Sequence, residues 1–387
     1  MVMVTRNFWQ NKINTALQHR SIVWLSGVRR IGKTNLCKSL SGIEYFDCEL
    51  PSTRQMLDAP EMFLKDHQGK LLVLDEIHRL SNPAELLKIA ADYYPNTKVI
   101  ATGSSTLGAS AKFKDTLAGR KTSLWFTPIL VAELENFQST KLPHRLLHGG
   151  LPPFFLSPIV PTRDFQEWLD AYWAKDILEL FRLERRFSFH KFIELLLVHS
   201  GSIFEATKFT SPCEISRGTI NNYLSILEAT HTMHVIRPFN SHRANEIIAA
   251  PKVYGFDTGF VCHARGLHTL RPDDYGNLWE HLVLNEIQGQ LQTKIIYYWR
   301  NKQKNEIDFV LSVGNHQPPL AIECKWSSQK FKPDNLKIFR CQYPHGKNFV
   351  VAADIQKTFS QKYDQLIVKF VNLDGLITEL LEQEISS

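Results

Sequence analysis

The chain has no CxxC pair and no His/Cys spacing that would suit a metal. Its six cysteines, Cys37, Cys48, Cys213, Cys262, Cys324 and Cys341, are scattered. That disfavours a structural zinc site and a disulfide framework, and a reducing cytoplasm fits best. An apolar run of about 18 residues is also missing, so no membrane span is expected. The opening MVMVTRNFWQNK lacks the apolar stretch of a signal peptide. Internal repeats and low-complexity tracts are absent. Charge of one sign is not concentrated either: the net charge of +6 leans toward an anionic partner but falls short of a DNA-binding tail.

What is present is the balance of a folded protein, with 43% hydrophobic and 22% charged residues, which excludes a disordered chain. At 387 residues the chain is too long for one ordinary core, so two or three domains are expected. The first part alternates strand and helix. SIVWLSG, GIEYFDCEL, KLLVLDEI, TKVIATGSS and TSLWFTPI read as buried strands, separated by helical or polar segments such as PAELLKIAADYY. This pattern predicts a parallel sheet with helices on both faces. It stops at HGGLPPFFLSPIVPT (148–162), whose glycines and prolines mark a boundary. A mostly helical stretch follows to about Ile236. From about Gly276 the chain reads helix, then the strands KIIYYWR, NEIDFVLSV and PLAIECKWS. The expected division is 1–155, 156–265 and 266–387, and the fold class α/β.

Gly27-Val28-Arg29-Arg30-Ile31-Gly32-Lys33-Thr34 fits G-x-x-x-x-G-K-[ST], between a strand and a helix. The glycines let the loop turn its N–H groups toward phosphate oxygens, and a helix N-terminus adds positive potential. Lys33 can reach the β- and γ-phosphates, and the Thr34 hydroxyl can ligate magnesium. The apolar run Leu71–Leu74 places Asp75 at a strand end beside that magnesium and Glu76 where it can polarise an attacking water. Candidate nucleotide-binding residues are Gly27, Arg29, Arg30, Ile31, Gly32, Lys33, Thr34, Asn35, Asp75 and Ser104, with Thr34 and Asp75 as magnesium ligands. Thr102-Gly103-Ser104-Ser105 is either a γ-phosphate sensor or a simple turn. Arg120 either completes the site, in its own chain or a neighbouring subunit, or forms a surface salt bridge.

These motifs resemble bacterial and archaeal AAA-type ATPases that carry a C-terminal domain of unknown function. The resemblance extends over nearly the whole chain through GVRRIGKT, LLVLDEIHR, TGSS, LAGR, GGLP (149–152), AYWAKDI (171–177), KVYGFDTG (252–259), GNLWEHLVLNEI, YYWR, NEIDFVL and AIECK. It implies an ATPase with a role suggested to lie in action on DNA or in defence against mobile elements. Asn35 and His78 depart from the family's frequent hydroxyl and glutamine residues.

Two further regions carry candidate chemistry. Residues 203–239 read as a winged helix: a helix holding Phe204-Glu205-Ala206, a second helix capped by Ser216, and the strand Met233–Ile236 as a wing. Arg217, Thr219, Asn221 and Asn222 would then enter a DNA groove, or the element would serve to pack domains together. In the last region Glu280, Asp308, Glu323 and Lys325 follow the order E…D…E-x-K, which resembles the PD-(D/E)XK nuclease core. Asp308 and Glu323, with Glu280 nearby, would hold magnesium or manganese through oxygen ligands. Lys325, two residues from Glu323 on one strand face, would orient a water attacking phosphorus. The expected function is ATP-dependent action on nucleic acid, DNA favoured, by a chain that can form a homo-oligomer. The alternative is a nucleotide-gated switch for a protein partner, its nuclease fold inactive.

Overall fold

The computed structural model describes residues 4–103, 111–181, 183, 185–239, 250–312 and 317–385. Five strands in the first part, β1 (Ile22–Ser26), β2 (Ile43–Asp47), β3 (Leu71–Asp75), β4 (Lys98–Thr102) and β5 (Lys121–Trp125), form a parallel sheet in the order β2-β3-β4-β1-β5. β1, an interior strand between β4 and β5, is buried along its whole length, as an unbroken apolar run in a covered parallel sheet demands. Two apolar layers cover the sheet, one with Trp9, Val23 and Phe126, the other with Trp24, Leu72 and Leu87. The helix Pro83–Tyr93 begins with proline at its first position, where a missing N–H costs nothing.

The second sheet has nine strands. They are β6 (Ser202–Ile203), β7 (Met233–Pro238), β8 (Lys252–Gly255), β9 (Tyr297–Arg300), β10 (Glu306–Leu311), β11 (Leu320–Lys325), β12 (Asn348–Ala352), β13 (Phe359–Tyr363) and β14 (Leu366–Val371). Their order is β13-β14-β12-β11-β10-β9-β7-β8-β6. The chain is thus mixed α/β, with a parallel-sheet P-loop region followed by a helical stretch and a second α/β region.

Two sequence expectations meet a different structure. Phe204, Glu205 and Ala206 precede a helix that begins only at Thr207. The strand expected as a wing, β7, is no free hairpin arm, because it pairs antiparallel with β8 and parallel with β9. The second sheet therefore runs through the expected boundary near residue 266. The start of the Gly/Pro segment, at Gly149 and Gly150, packs closely against Asp257. Asp257 accepts the N–H of Gly150 at 2.5 Å and that of Gly259 at 2.9 Å. Gly149 (φ +82°) lies so close that a Cβ there would come 2.0 Å from an Asp257 oxygen. Only glycine fits such a left-handed close approach.

Candidate nucleotide pocket and carboxylate cluster

The 27–34 loop leaves the buried end of β1 and enters the helix Lys33–Lys38 through Gly32, whose φ of +101° suits glycine. The loop is braced from behind. Arg6 forms a two-pronged pair with Glu133 (2.7 and 2.6 Å) and donates to the Ile31 carbonyl at 3.2 Å. Lys33 Nζ donates to the carbonyls of Gly27 at 2.8 Å and Val28 at 3.2 Å. Burial pushes the Lys33 ammonium below its usual pKa, and Glu76, Asp176 and Asp75 oppose that. A buried cation resting on carbonyls favours an arriving anion.

Asp75, at the end of β3, gathers hydroxyls. Its Oδ2 accepts from Thr34 Oγ1 at 2.8 Å and from Tyr45 at 2.6 Å, and Thr102 Oγ1 donates to Oδ1. Thr102 also accepts the backbone N–H of Glu76 at 3.1 Å. Glu76 itself has a left-handed φ of +54°, strain of the kind that gathers at functional sites. His78 Nδ1 lies 3.1 Å from Glu76 Oε2. Burial opposes the Glu76 charge, but His78 and Lys33 outweigh it and hold the carboxyl down to about 2.

These groups line a pocket of about 350 Å³, within the range of small-molecule sites. Gly27, Arg29, Arg30, Ile31, Gly32, Lys33, Thr34, Asn35 and Glu76 all line it, with Asp75 just behind Thr34. Arg120 is not among the lining residues; its guanidinium grips Asp92 at 2.7 and 3.1 Å. Ser104 lies outside the described residues.

Sequence reasoning missed Tyr45, Tyr172, Asp176 and Thr230. The first bonds Asp75, and the other three line the pocket from the middle region. AYWAKDI was quoted for its resemblance alone; an acid inside that segment was the available signal.

The second cluster forms where β10 and β11 run antiparallel. Phe309 pairs with Ile322, which sets Asp308 across from Glu323. Lys325 Nζ lies 2.6 Å from Glu323 Oε2 and 3.4 Å from Asp308 Oδ2, and Asp308 also accepts the Cys324 N–H at 2.7 Å. Glu280, on the helix Asp274–Leu291, accepts from the Tyr254 hydroxyl and pairs with Lys252 at 3.2 Å. Lys252 reaches Glu306 as well, at 2.5 Å. Sequence reasoning assigned no role to Lys252 or Tyr254, both from KVYGFDTG.

Burial, then the nearby Asp308, raises the carboxyls of Glu280 and Glu323, the latter to about 8. Asp308 and Glu323 therefore share Lys325, whereas Glu280 is held separately by Lys252 and Tyr254. Glu323 is nearly fully buried, and its Oε1 has no hydrogen-bond partner. Among the described residues, no group of three or more His, Cys, Asp or Glu is arranged to hold a metal.

Comparison with known proteins gives three family matches along the chain. Residues 19–135 match the family model described as an AAA domain. Residues 139–271 and 275–372 match two models described as domains of unknown function, DUF8612 and DUF4143. The N-terminal region is similar to AAA-type P-loop ATPases. Uncharacterized proteins of Mycobacterium tuberculosis and Mycobacterium bovis are each 24% identical over 339 residues, covering 84% of this chain and 75% of theirs. Among solved structures, the Walker-type ATPase of Pyrococcus abyssi is 16% identical, with 68% of this chain and 96% of that one covered and a TM-score of 0.44. The Aeropyrum pernix ORC1 protein, solved with DNA, is 13% identical at a TM-score of 0.27, with coverage of 68% and 92%. No described helix is long and apolar enough to cross a membrane.

Proposed function

We propose that the protein binds ATP with magnesium in the pocket of the 27–35 loop and hydrolyses it. The observation that carries this reading is the meeting of the Thr34 hydroxyl and the Asp75 carboxylate at 2.8 Å, beside Lys33 and Glu76. A hydroxyl and a carboxylate are hard oxygen donors, the set that suits magnesium, so these two residues would hold it. When bound, the metal neutralises phosphate charge. Lys33 turns from its carbonyls toward the β- and γ-phosphates, and the loop N–H groups bind their oxygens. Glu76, ionised at neutral pH, accepts a hydrogen bond from water and aims it at phosphorus. A carboxyl near 2 is a weak base, so it orients the water; incoming phosphate charge raises its pKa and its basicity together. Direct measurement of ATP binding and phosphate release by the full chain tests this reading. Neither occurring would end it.

One observation favours a second activity, metal-dependent cleavage of nucleic acid at Asp308, Glu323 and Lys325. Glu323 Oε1 is buried without a partner, which a cation would supply. Glu280, Asp308 and Glu323 offer suitable oxygens, although a cation would have to draw Glu323 away from Lys325. Bound there, it would stabilise charge on phosphorus, and Lys325 would orient the water. DNA is the favoured substrate, with the exposed Arg217, Asn221 and Asn222 as the gripping face.

The test incubates the protein with linear, circular and single-stranded DNA and with RNA, with and without ATP, in magnesium or manganese. Cleavage lost in Asp308→Ala and in Lys325→Ala supports it. No cleavage of any substrate leaves the alternative, a nucleotide-gated switch whose lysine-paired acids are structural.

A further inference from the structure

Part of the wall of the nucleotide pocket comes from the middle region, through Tyr172, Asp176 and Thr230. Asp176 lies in a π-helical turn, Trp173–Ile177, that continues the helix Thr162–Tyr172. Such turns hold an extra residue and recur at functional sites. Asp176 Oδ2 accepts from Arg29 Nε at 3.0 Å. The Arg29 backbone is pinned separately, since its carbonyl accepts the indole N–H of the buried Trp168 at 2.9 Å. The main chain of Arg29 is therefore fixed while its guanidinium can change partner.

The pair is close enough to Lys33 and Glu76 to act on their charges. Asp176 favours the Lys33 charge and Arg29 opposes it, and Arg29 helps keep Glu76 ionised. Arg29 and Asp176 line the same pocket as Lys33 and Glu76, the cavity in which a terminal phosphate held by Lys33 would lie.

We propose that Asp176 is a positioning residue that senses the nucleotide state: its carboxylate competes with the terminal phosphate of a nucleoside triphosphate for Arg29. This rests on the ATP-binding reading above. With a diphosphate bound, Arg29 stays on Asp176. A triphosphate brings a stronger anion to the same guanidinium and repels the Asp176 carboxylate. The displaced carboxylate belongs to the segment whose preceding residue, Tyr172, meets Thr230 through their hydroxyls at 2.5 Å. Thr230 caps the C-terminal end of the helix Arg217–Ala229. One end of that helix is therefore anchored at the pocket, while Arg217, Asn221 and Asn222 stand exposed toward the other. Loss of the Arg29–Asp176 pair would remove one tie between the π-helical segment and the 27–34 loop, so occupancy of the pocket by triphosphate would be passed toward the exposed face.

The experiment measures equilibrium binding of a non-hydrolysable ATP analogue and of ADP, both with magnesium, to the full chain. Asp176→Asn removes the competing charge at the same size. It should tighten analogue binding about tenfold, an ordinary strength for coupled sites, and leave ADP binding within about twofold. Asp176→Glu should keep the wild-type ratio.

Arg29→Gln should weaken the analogue selectively, and adding Asp176→Asn to it should then change nothing. A merely structural Asp176 would shift both nucleotides together or neither, and an unchanged analogue-to-ADP ratio in Asp176→Asn overturns the inference. Wild type that binds neither nucleotide overturns the ATP reading with it. Wild type that binds both, with an unmoved ratio, leaves the ATP reading standing alone.

Discussion

The nucleotide pocket and the carboxylate cluster are built from the same residue types with opposite pairing. In the pocket, Lys33 rests on two carbonyls and Asp75 on three hydroxyls, all neutral partners. Charge there is held ready, and a phosphate and a cation would complete it. In the cluster, Lys325 already answers Glu323 and Asp308, and Lys252 answers Glu280 and Glu306. Charge there is satisfied from within, except at one oxygen of Glu323. A buried ion pair can lose in desolvation what it gains in attraction, but breaking it on one side is strongly destabilising. The difference teaches where ligand should matter most: substitutions in the pocket should be felt in binding and turnover, those in the cluster first in stability.

The largest effects are expected in the pocket. Lys33→Ala should abolish measurable ATP affinity, because it removes the charge aimed at the β- and γ-phosphates. Glu76→Gln should leave affinity within a few-fold and slow turnover by roughly 10²–10⁴, the usual range for a lost acid–base group. Titration with nucleotide and steady-state phosphate release separate the two. Wild-type turnover in Glu76→Gln would remove Glu76 from the reaction and leave the pocket a binding site.

How far this contrast can be read in the sequence follows from the range of the contacts. Lys33, Thr34, Asp75 and Glu76 announce themselves because strand ends fix them. β2 and β5, expected to be buried, are half-buried or buried only at one end, whereas β1, β3 and β4 carry apolar runs that need no partner to be recognised. The same holds for β10 and β11, where period two puts Glu323 and Lys325 on one face. Tyr45, Lys252 and Asp176 act at a distance of many residues, and no spacing rule links them to Asp75, Glu280 or Arg29. The β7 strand misled for the same reason. Its sequence is that of any half-buried strand, and only its pairing with β9 distinguishes a wing from a sheet member. Likewise, the glycines of HGGLPP signal a break in the pattern but not the Asp257 carboxylate that packs against them.

In the cluster, Lys325→Met should cost on the order of 3 kcal/mol in denaturant unfolding above about pH 8, where Glu323 is ionised, since it strands that buried carboxylate beside Asp308. The double variant Glu323→Gln with Lys325→Met should recover most of that loss, because both charges are gone. Equal destabilisation of single and double variants would mean that packing of the lysine stem, and not the ion pair, is what matters.

The helix Asp274–Leu291 joins the two regions. It carries Glu280 into the cluster, and Glu286 accepts the Val131 N–H at 2.6 Å on the ATPase side. Burial raises the Glu286 carboxyl from its ordinary 4.5 to about 8, against the Val131 bond and Arg145. A folded pKa above the unfolded one means that the folded state holds the extra proton. Its stabilising share is full below about pH 4.5 and is lost as pH rises to about 8. Glu286→Gln should therefore flatten the stability profile across that window by roughly 1.4 kcal/mol per pH unit. Unfolding midpoints from pH 5 to 8 check this. A wild-type profile that the variant reproduces would show Glu286 ionised in the folded protein, with the helix junction wetter than its burial indicates.

The smallest effect belongs to Arg120, where the contrast between charge held ready and charge satisfied is sharpest within one domain. An arginine that completes a neighbour's site has to present its guanidinium outward. Here the guanidinium is engaged two-pronged by Asp92 on the same chain, at an exposed position where salt screens the pair. Arg120→Ala is accordingly expected to leave turnover within about twofold of wild type, since exposed pairs contribute little. Mixing Arg120→Ala with Glu76→Gln chains should yield no more than the sum of their separate activities. Recovery above that sum, growing with protein concentration, would mean that Asp92 gives up the arginine in an assembly, and Arg120 would then join Lys33 among the charges kept for a ligand.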